Sequence, residues 1–449
     1  MIHKFQSNGF NIVLDVNSGS VHIFDVLTYK MLDYWPDENK ILNEFSTHPE
    51  EKIRECIDEI KQLESDGLLF TKDYEPPDIS NYKPVIKAMC LHIAHACNLK
   101  CKYCFADEGS YHGKSALMSL EVGKKAIDFL IENSGNRKNL EVDFFGGEPL
   151  LNFDVVKKIV DYGRSQEKIH NKNFRFTMTT NGVLLDDEKI NYLNENMYNV
   201  VLSIDGRKEI NDKMRQKPDG TSSYDVIMPN FKKFAKLRGD KNYYVRGTFT
   251  HSNLDFANDI LHLYNEGFDQ ISVEPVVAQN NLDYALQDDD MQKIFDEYDR
   301  LTKIMLDKIG SKDQFNFFHF MIDLDNGPCF AKRVIGCGAA TEYLAVAPNG
   351  DLYPCHQFVG MDNFKMGNVF DNKLNQQIKN EFNMCNVYTK SECKDCWAKF
   401  YCSGGCSANA YNFNKDIYKP YEYACKLQRK RLECALTIKA AKFQNENGD

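Results

Sequence analysis

The stretch HACNLKCKYCFADEG, residues 95–109, holds three cysteines in the spacing C-x3-C-x2-C, namely Cys97, Cys101 and Cys104. Cysteines clustered this tightly indicate a metal site, an iron–sulfur cluster or a redox centre. Structural zinc sites have four ligands and usually two C-x2-C pairs, so zinc fits this loop poorly. A [4Fe–4S] cluster normally has four cysteine ligands, and this loop offers three. The fourth ligand must therefore come from elsewhere.

The composition and the distribution of cysteine narrow the class of protein. With 449 residues and a formal net charge of −10, the chain predicts about three domains and disfavours nucleic acid or an anionic membrane as a partner. No apolar run approaches the roughly 20 residues that span a bilayer, and no secretion signal is visible, so we expect a cytoplasmic protein. Of the 15 cysteines, most lie from Cys329 onward. In the cytosol such clustering indicates metal binding rather than disulfides.

Strand-like runs alternate with stretches of helical periodicity between about residues 85 and 310, which predicts an α/β fold with a parallel sheet. The runs are VIKAMCLHIA (85–94), LEVDFF (140–145), FRFTMTT (174–180), NVVLSID (199–205), YYVRGTFT (243–250) and QISVEPVV (270–277). Curled into a partial (β/α)6 TIM-like barrel, such a sheet carries its site at the C-terminal strand ends. The three cysteines follow the first strand directly.

The two ends of the chain differ from this middle part. NIVLDVNSGSVHIFD (11–25) predicts strand, turn and strand, and EKIRECIDEIKQLESDGLLF (51–70) predicts an amphipathic helix that Gly67 ends. Together they resemble a winged-helix module, and YEPPDISNYKP (74–84) is a plausible linker. After residue 320 the chain becomes rich in cysteine and glycine, which is typical of a domain that bound metal stabilises. We therefore expect domains at 1–78, 79–320 and 321–449.

Three further motifs stand at predicted strand ends: FFGGEPL (144–150), TTNG (179–182) and LSIDG (202–206). In this order behind the cysteine loop, they resemble the radical S-adenosylmethionine (SAM) enzymes. The resemblance implies that three thiolates hold three irons of a [4Fe–4S] cluster and that SAM occupies the fourth. It also implies that an electron from the cluster cleaves SAM to methionine and a 5′-deoxyadenosyl radical, while the protein orients the reactants and keeps water out.

The resemblance further implies which side chains contact SAM. The matching positions are Tyr103, Gly146, Gly147, Glu148, Thr180, Asn181, Ser203, Asp205 and Arg215. A carboxylate such as Glu148 can accept a hydrogen bond from the methionine ammonium group, and two glycines let a backbone approach a ligand closely. An arginine fork suits the methionine carboxylate. Taken alone, Arg215 is nearly as well explained as a surface arginine.

The C-terminal cysteines form a second pattern. CGAATEYLAVAPNGDLYPC (337–355) is followed by CKDCWAKFYCSGGC (393–406) and by Cys425. This series resembles the SPASM domain of radical SAM enzymes that modify peptides, and the resemblance implies two auxiliary [4Fe–4S] clusters. It assigns one cluster four ligands and the other three, with either Cys329 or a substrate thiolate as the fourth. The implied ligands are Cys393, Cys396, Cys402 and Cys425 for the first, and Cys337, Cys355 and Cys406 for the second. A zinc ribbon remains an alternative for the later spacing.

The full arrangement is most similar to the maturases of six-cysteine peptides, which install thioether crosslinks. The resemblance implies a cysteine-rich precursor peptide as substrate, a leader-binding RiPP recognition element at the N-terminus, and a reductant such as flavodoxin or ferredoxin. The alternative reaction is that of an anaerobic sulfatase-maturing enzyme, which makes formylglycine. The alternative class of protein is an iron–sulfur electron-transfer protein.

The remaining cysteines are not assigned to a cluster. Cys56, Cys90 and Cys434 lie in periodic or strand segments and are expected in the core, and Cys385 receives no role.

Overall fold

The computed structural model describes residues 1–73, 82–111, 113–324, 330–371 and 373–447. Most of the predicted linker and the candidate ligand Cys329 lie outside these residues. Within the described part of the chain, no helix is both long and apolar enough to cross a membrane.

The N-terminal part is a small antiparallel sheet followed by helices. Its elements are β1 (Ile2–Ser7), β2 (Phe10–Asp15), β3 (Val21–Ile23), α1 (Val26–Met31), α2 (Glu38–Glu44) and α3 (Glu50–Ser65). β2 lies in the middle of the sheet, between β1 and β3. The amphipathic face predicted for α3 is correct, because Ile53, Cys56, Ile57 and Ile60 are all buried. The winged-helix assignment stays a prediction.

The middle part is an α/β unit, as predicted. Its strands are β4 (Ala88–His95), β5 (Lys100–Cys101), β6 (Ala116–Leu117), β7 (Asn139–Gly146), β8 (Asn173–Thr180), β9 (Asn199–Ser203), β10 (Arg215–Gln216), β11 (Tyr243–Phe249), β12 (Gln270–Pro275) and β13 (Asn316–Phe317). Its helices are α4 (Leu120–Asn133), α5 (Phe153–His170), α6 (Asp187–Asn196), α7 (Lys208–Met214), α8 (Tyr224–Arg238), α9 (Phe256–Asn265) and α10 (Met291–Leu306). Each of the six predicted strand runs overlaps one of these strands, namely β4, β7, β8, β9, β11 or β12.

The C-terminal part continues the same sheet. Its elements are α11 (Phe330–Ile335), β14 (Tyr343–Val346), β15 (Asp351–Tyr353), β16 (Gly367–Asn368), β17 (Lys373–Leu374), α12 (Gln376–Met384), α13 (Ser391–Lys394), α14 (Lys399–Cys402), α15 (Ser407–Asn414) and α16 (Glu422–Asn447). β14 pairs in parallel with β4, opposite Ala88 to Leu91. The main sheet therefore runs β13-β12-β11-β9-β8-β7-β4-β14-β15-β16-β17, and it crosses the predicted boundary at residue 320. The closing of six strands into a barrel stays a prediction.

Side chains alternate across this sheet as strand geometry requires. On β7, Leu140, Val142 and Phe144 are buried in the main core, whereas Asp143 and Phe145 face the opposite side. There the sheet lines a cavity of about 470 Å³, called the lumen below, whose lining includes Cys90, Asp143, Thr177 and Tyr343. Phe145 and Thr179, near the C-terminal ends of β7 and β8, also line it and are followed in the chain by the predicted site residues Gly146 and Thr180.

The N-terminal sheet packs on the C-terminal helix α16. Phe5, Ile12 and Leu14 form a buried cluster with Leu436 and Ala440. At one end the His3 ring stacks on Trp397 with 3.7 Å between centroids, and His3 Nε2 lies 3.0 Å from Glu433 Oε1. The N-terminal part is thus held against the cysteine-rich part by a buried apolar interface.

Candidate iron–sulfur and SAM site

The cysteine loop follows β4 in the chain, and main-chain hydrogen bonds hold it against the end of β7. Gly147 N–H donates to Ala94 O at 2.8 Å, and Glu148 N–H donates to Ala96 O at 2.9 Å. A Cβ added at Gly147 would overlap the carbonyl oxygen of Ala96. Gly147 therefore permits a close approach between the end of β7 and the loop that carries Cys97, and its expected contact with a ligand stays a prediction.

Glu148 is fully buried where β7 and β8 end. Its carboxylate accepts hydrogen bonds from Thr180 Oγ1 (2.8 Å), from the Asn181 backbone N–H (2.8 Å) and from the Leu150 backbone N–H (3.0 Å). Burial raises the pKa of Glu148, and these hydrogen bonds oppose the shift. The Asn181 side chain also reaches the cysteine loop, with Nδ2 3.6 Å from Cys97 Sγ. The GGEP and TNG motifs thus meet at one buried carboxylate.

Tyr103, Asp205 and Arg215 form a second buried group beside the loop. The Tyr103 hydroxyl donates to the Asp205 carboxylate at 2.7 Å, and Arg215 Nη1 donates to the Tyr103 oxygen at 3.1 Å. Burial raises the pKa of Asp205 to about 6, which the nearby arginine opposes. Arg215 reaches the loop because β10 pairs with β5, opposite Cys101. Ser203 ends β9 next to this group, paired with Arg246 of β11.

Arg215 carries an unused donor. Its Nε is buried, and no described residue offers it an acceptor. A buried guanidinium donor without a partner costs free energy, so a ligand oxygen at this point would stabilise the site. Arg215 is therefore buried rather than a surface arginine, and its contact with SAM stays a prediction.

The described cysteines of the predicted clusters sort into three groups by mutual electrostatic interaction. Thiols within each group interact electrostatically with one another. The groups are Cys97, Cys101 and Cys104; Cys337, Cys355 and Cys406; and Cys393, Cys396, Cys402 and Cys425. The four thiols of the third group also line one small cavity. The assignment of these cysteines to three clusters stays a prediction.

Burial dominates the chemistry of these thiols. It raises the pKa of Cys97 and Cys425 to about 12 and that of Cys101 and Cys393 to about 11. Metal binding must therefore release protons from them. Among the described residues, no group of three or more His, Cys, Asp or Glu side chains could hold a metal ion. The ligands of a [4Fe–4S] cluster each bind a different iron, so this finding concerns single-ion sites.

Some groups near the site were missed by sequence reasoning. His92 and His95 lie on β4 with Nδ1 and Nε2 3.1 Å apart, and both rings contact Tyr111. Asp143 faces the lumen two residues before Phe145. The sequence did contain a signal for the histidines and for Asp143. Each is a polar residue in a strand whose other residues are mostly apolar.

Two known families match segments of the chain. Residues 91–257 match the Radical SAM superfamily, and residues 337–397 match the SPASM family, described as an iron–sulfur cluster-binding domain. The first range includes the cysteine loop, Glu148, the TNG segment and Arg215. The second includes Cys337, Cys355, Cys393 and Cys396.

Individual relatives are similar at low identity. The radical SAM cyclopropyl synthase TigE of Paramaledivibacter caminithermalis is 26% identical over 292 residues, which span 58% of this chain and 59% of TigE. The cysteine-type anaerobic sulfatase-maturating enzyme of Clostridium perfringens is 25% identical over 376 residues, 78% of this chain and 96% of that enzyme. A structure of Streptococcus suis SuiB bound to precursor peptide SuiA has the same fold, with a TM-score of 0.54, 16% identity, and coverage of 92% of this chain and 95% of SuiB. The chain therefore has a radical SAM domain followed by an iron–sulfur cluster-binding SPASM domain.

Proposed function

We propose that this enzyme installs thioether crosslinks in a ribosomally made, cysteine-rich precursor peptide. The observation that carries the proposal is the three-thiol group of Cys337, Cys355 and Cys406 beside the lumen. His356, the neighbour of Cys355, lines the lumen together with Tyr343. Cys337, Cys355 and Cys406 are the thiols of this group among the described residues, and we propose that they hold a cluster without Cys329, which leaves one iron position free. A peptide cysteine in the lumen would therefore lie next to a centre that can bind its sulfur.

The residues around the first cysteine loop fit SAM. We propose that Cys97, Cys101 and Cys104 hold a [4Fe–4S] cluster, that Glu148 accepts a hydrogen bond from the methionine ammonium, and that Arg215 Nε donates to the methionine carboxylate. The unpartnered Nε supports this assignment. Asp205 and Tyr103 hold the guanidinium in position. When bound, the iron–sulfur clusters supply the electron that cleaves SAM and accept the electron released as the carbon–sulfur bond forms.

The four-thiol group of Cys393, Cys396, Cys402 and Cys425 is proposed to hold a second auxiliary cluster. It has a complete ligand set from the chain, so it leaves no position for substrate. With the loop cluster and the three-thiol group, this gives three clusters per chain. We propose flavodoxin or ferredoxin as the source of electrons.

The N-terminal part offers an edge for a leader peptide. Asp15 N–H donates to Ser20 O, and Phe24 N–H donates to Asn11 O, so the alternate residues Val21 and Ile23 direct their backbone groups away from β2. An extended peptide can add to such an edge as a further strand. We propose that the leader of the precursor binds along β3.

Mass spectrometry tests the proposed reaction. Anaerobic enzyme with SAM, a reductant and a full-length cysteine-rich precursor is expected to remove two hydrogens per crosslink, and alkylation of the product is expected to find one fewer free thiol for each. The same core peptide without its leader is expected to react more slowly, because it lacks the strand that pairs with β3. A mass change confined to a single residue, with no bond between residues, would contradict the thioether proposal.

A second candidate is formylglycine formation. The match that spans 96% of the sulfatase-maturating enzyme favours it. The same assay separates the two, because oxidation of a cysteine to formylglycine replaces the sulfur by a carbonyl oxygen and leaves no bond between residues. Product fragmentation that places the change on one residue would favour this candidate.

Replacing Arg215 by lysine is expected to weaken SAM binding by about 10- to 100-fold, because one ammonium cannot replace the fork of a guanidinium in a buried hydrogen bond. Calorimetric titration of the reconstituted enzyme with SAM measures the change. Arg207→Lys is the matched control, since Arg207 pairs with Asp255 and Asp259 outside the site. Equal affinity in the Arg215→Lys variant and the wild type would contradict the assignment.

A further inference from the structure

The lumen is lined by polar side chains where a filled barrel would carry branched apolar ones. β7 contributes Glu141 and Asp143, β8 contributes Arg175 and Thr177, and β11 contributes Tyr244 to its lining. A cavity of about 470 Å³ has the size of a site for a small ligand or a few side chains. The polar lining indicates that the lumen holds part of the substrate and water rather than a packed core.

Asp143 is the carboxylate at the centre of this lining. One of its oxygens, Oδ1, accepts a hydrogen bond from the Thr177 hydroxyl. No described residue donates to the other oxygen, Oδ2, and the side chain lines the cavity. The carboxylate therefore has a fixed orientation and one free acceptor that faces the place where a substrate group would lie.

The position of Asp143 links the SAM site with the three-thiol group. Along β7 it precedes Gly146 and Glu148 by a few residues on the strand that leads into the SAM site. Across the lumen, Tyr343 interacts electrostatically with Asp143, Cys90 and Cys355. The Tyr343 hydroxyl also lies 3.4 Å from His356 Nδ1. A peptide cysteine directed toward Cys355 would thus lie close to the Asp143 carboxylate.

We propose that Asp143 is the base that removes the proton from the peptide's cysteine thiol before its sulfur enters the crosslink. The inference rests on the proposed thioether function and adds the residue that prepares its nucleophile. In this step the S–H bond breaks, the proton passes to Asp143 Oδ2, and the sulfur keeps the bonding electron pair as a thiolate. Asp143 then releases the proton to solvent, so the carboxylate is restored for the next turnover.

The surroundings of Asp143 suit this role. Burial raises its pKa to about 6, the hydrogen bond from Thr177 opposes the shift, and the charge of Glu141 adds to it. The other ionisable groups that face it are Cys90 of β4, Tyr343 of β14, and Arg175 and His356 in the lumen lining. A thiol has an ordinary pKa of about 8.5, so a base with a pKa near 6 is better matched to it than an exposed aspartate near 3.9.

The experiment compares wild-type holoenzyme with its Asp143→Asn variant on the full-length precursor. We expect kcat for crosslinking to fall by about 100-fold or more, while KM for the peptide changes by less than about 3-fold. Iron content and the cleavage of SAM without peptide are expected to stay at wild-type levels, which shows that the variant is folded and loaded. Asp128→Asn is the matched control, because Asp128 on α4 also accepts a side-chain hydroxyl, that of Tyr162, and does not line the lumen; this variant is expected to stay within about 3-fold of wild type.

The pH profile gives a readout that a structural role would not move. Only the carboxylate form accepts a proton, so the wild-type rate is expected to rise with pH through a limb near 6 and then level off. Asp143→Asn is expected to lose this limb. Thr177→Val removes the hydrogen bond that lowers the pKa, so it is expected to move the limb to higher pH.

Infrared difference spectra of wild type minus Asp143→Asn, recorded without peptide, provide a test that does not depend on turnover. They are expected to show one carboxyl group that titrates near pH 6, and titration near 4 would contradict the inference. Crosslinking by Asp143→Asn within about 5-fold of wild type, with the limb retained, would overturn the inference and leave the thioether function intact. If wild type forms no thioether, the proposed function itself is wrong and the inference falls with it.

Discussion

Replacing Cys97, Cys101 or Cys104 by alanine is expected to abolish reductive cleavage of SAM. The three thiols are the whole contribution of the chain to the proposed loop cluster, and each would hold one iron. Loss of one ligand is therefore expected to lower SAM cleavage by about 1,000-fold or more and to remove about four irons per chain. Anaerobic iron analysis and quantification of 5′-deoxyadenosine measure both effects in the same sample.

The matched control for these variants is Cys385→Ser. Cys385 is also buried, but its Sγ donates to Ile417 O at 3.2 Å and belongs to none of the three groups. A serine hydroxyl can keep that hydrogen bond, so SAM cleavage is expected to stay within about 2-fold of wild type. SAM cleavage that survives in the Cys101→Ala variant would show that the loop does not hold the reactive centre.

Replacing Gly147 by alanine is expected to eliminate the loop cluster without changing any of the three cysteines proposed to bind its irons. The added Cβ would overlap the carbonyl oxygen of Ala96, which is main chain and cannot rotate away. The loop that carries Cys97 must then shift, at a cost of about 3 kcal/mol or more. We expect iron to fall from about twelve to about eight per chain, because the two auxiliary groups lie elsewhere in the fold.

Gly113→Ala provides the matched glycine control for this prediction. A Cβ at Gly113 would meet Ser110 O at 3.5 Å, an ordinary contact, so the variant is expected to keep its iron and its SAM cleavage. Electron paramagnetic resonance of the reduced proteins separates loss of the loop cluster from loss of all clusters. A Gly147→Ala variant with the full iron content and unchanged SAM cleavage would contradict the account of this contact.

Much of the fold follows from local sequence patterns. The six strand runs carry apolar residues at alternate or consecutive positions, and the helices between them keep a 3.6-residue period, so their order predicts a parallel sheet. The pairing of β14 with β4 was not predictable in this way. It joins residues 343–346 to residues 88–91, and nothing local in either segment specifies a partner so far away in the chain.

The candidate site likewise has features that local sequence patterns predict and features that depend on long-range contacts. The cysteine loop, the GGEP and TNG motifs and the C-terminal series are short-range patterns, and the structure brings their residues together as local groups. The role of Gly147 in packing, the pairing of Arg215 with Cys101 and the position of Asp143 in the lumen each depend on contacts between distant segments. Such contacts join segments that are far apart in the chain, so the local sequence pattern of either segment carries little information about them.

The central claim is that the loop cluster leaves one iron open for SAM. Electron–nuclear double resonance of the reduced enzyme, with SAM isotopically labelled at the methionine nitrogen and carboxylate, tests this claim most directly. The account predicts hyperfine coupling between the label and the cluster, and loss of that coupling in the Cys101→Ala variant. A cluster spectrum that shows no coupling to the label while SAM is bound would contradict the account.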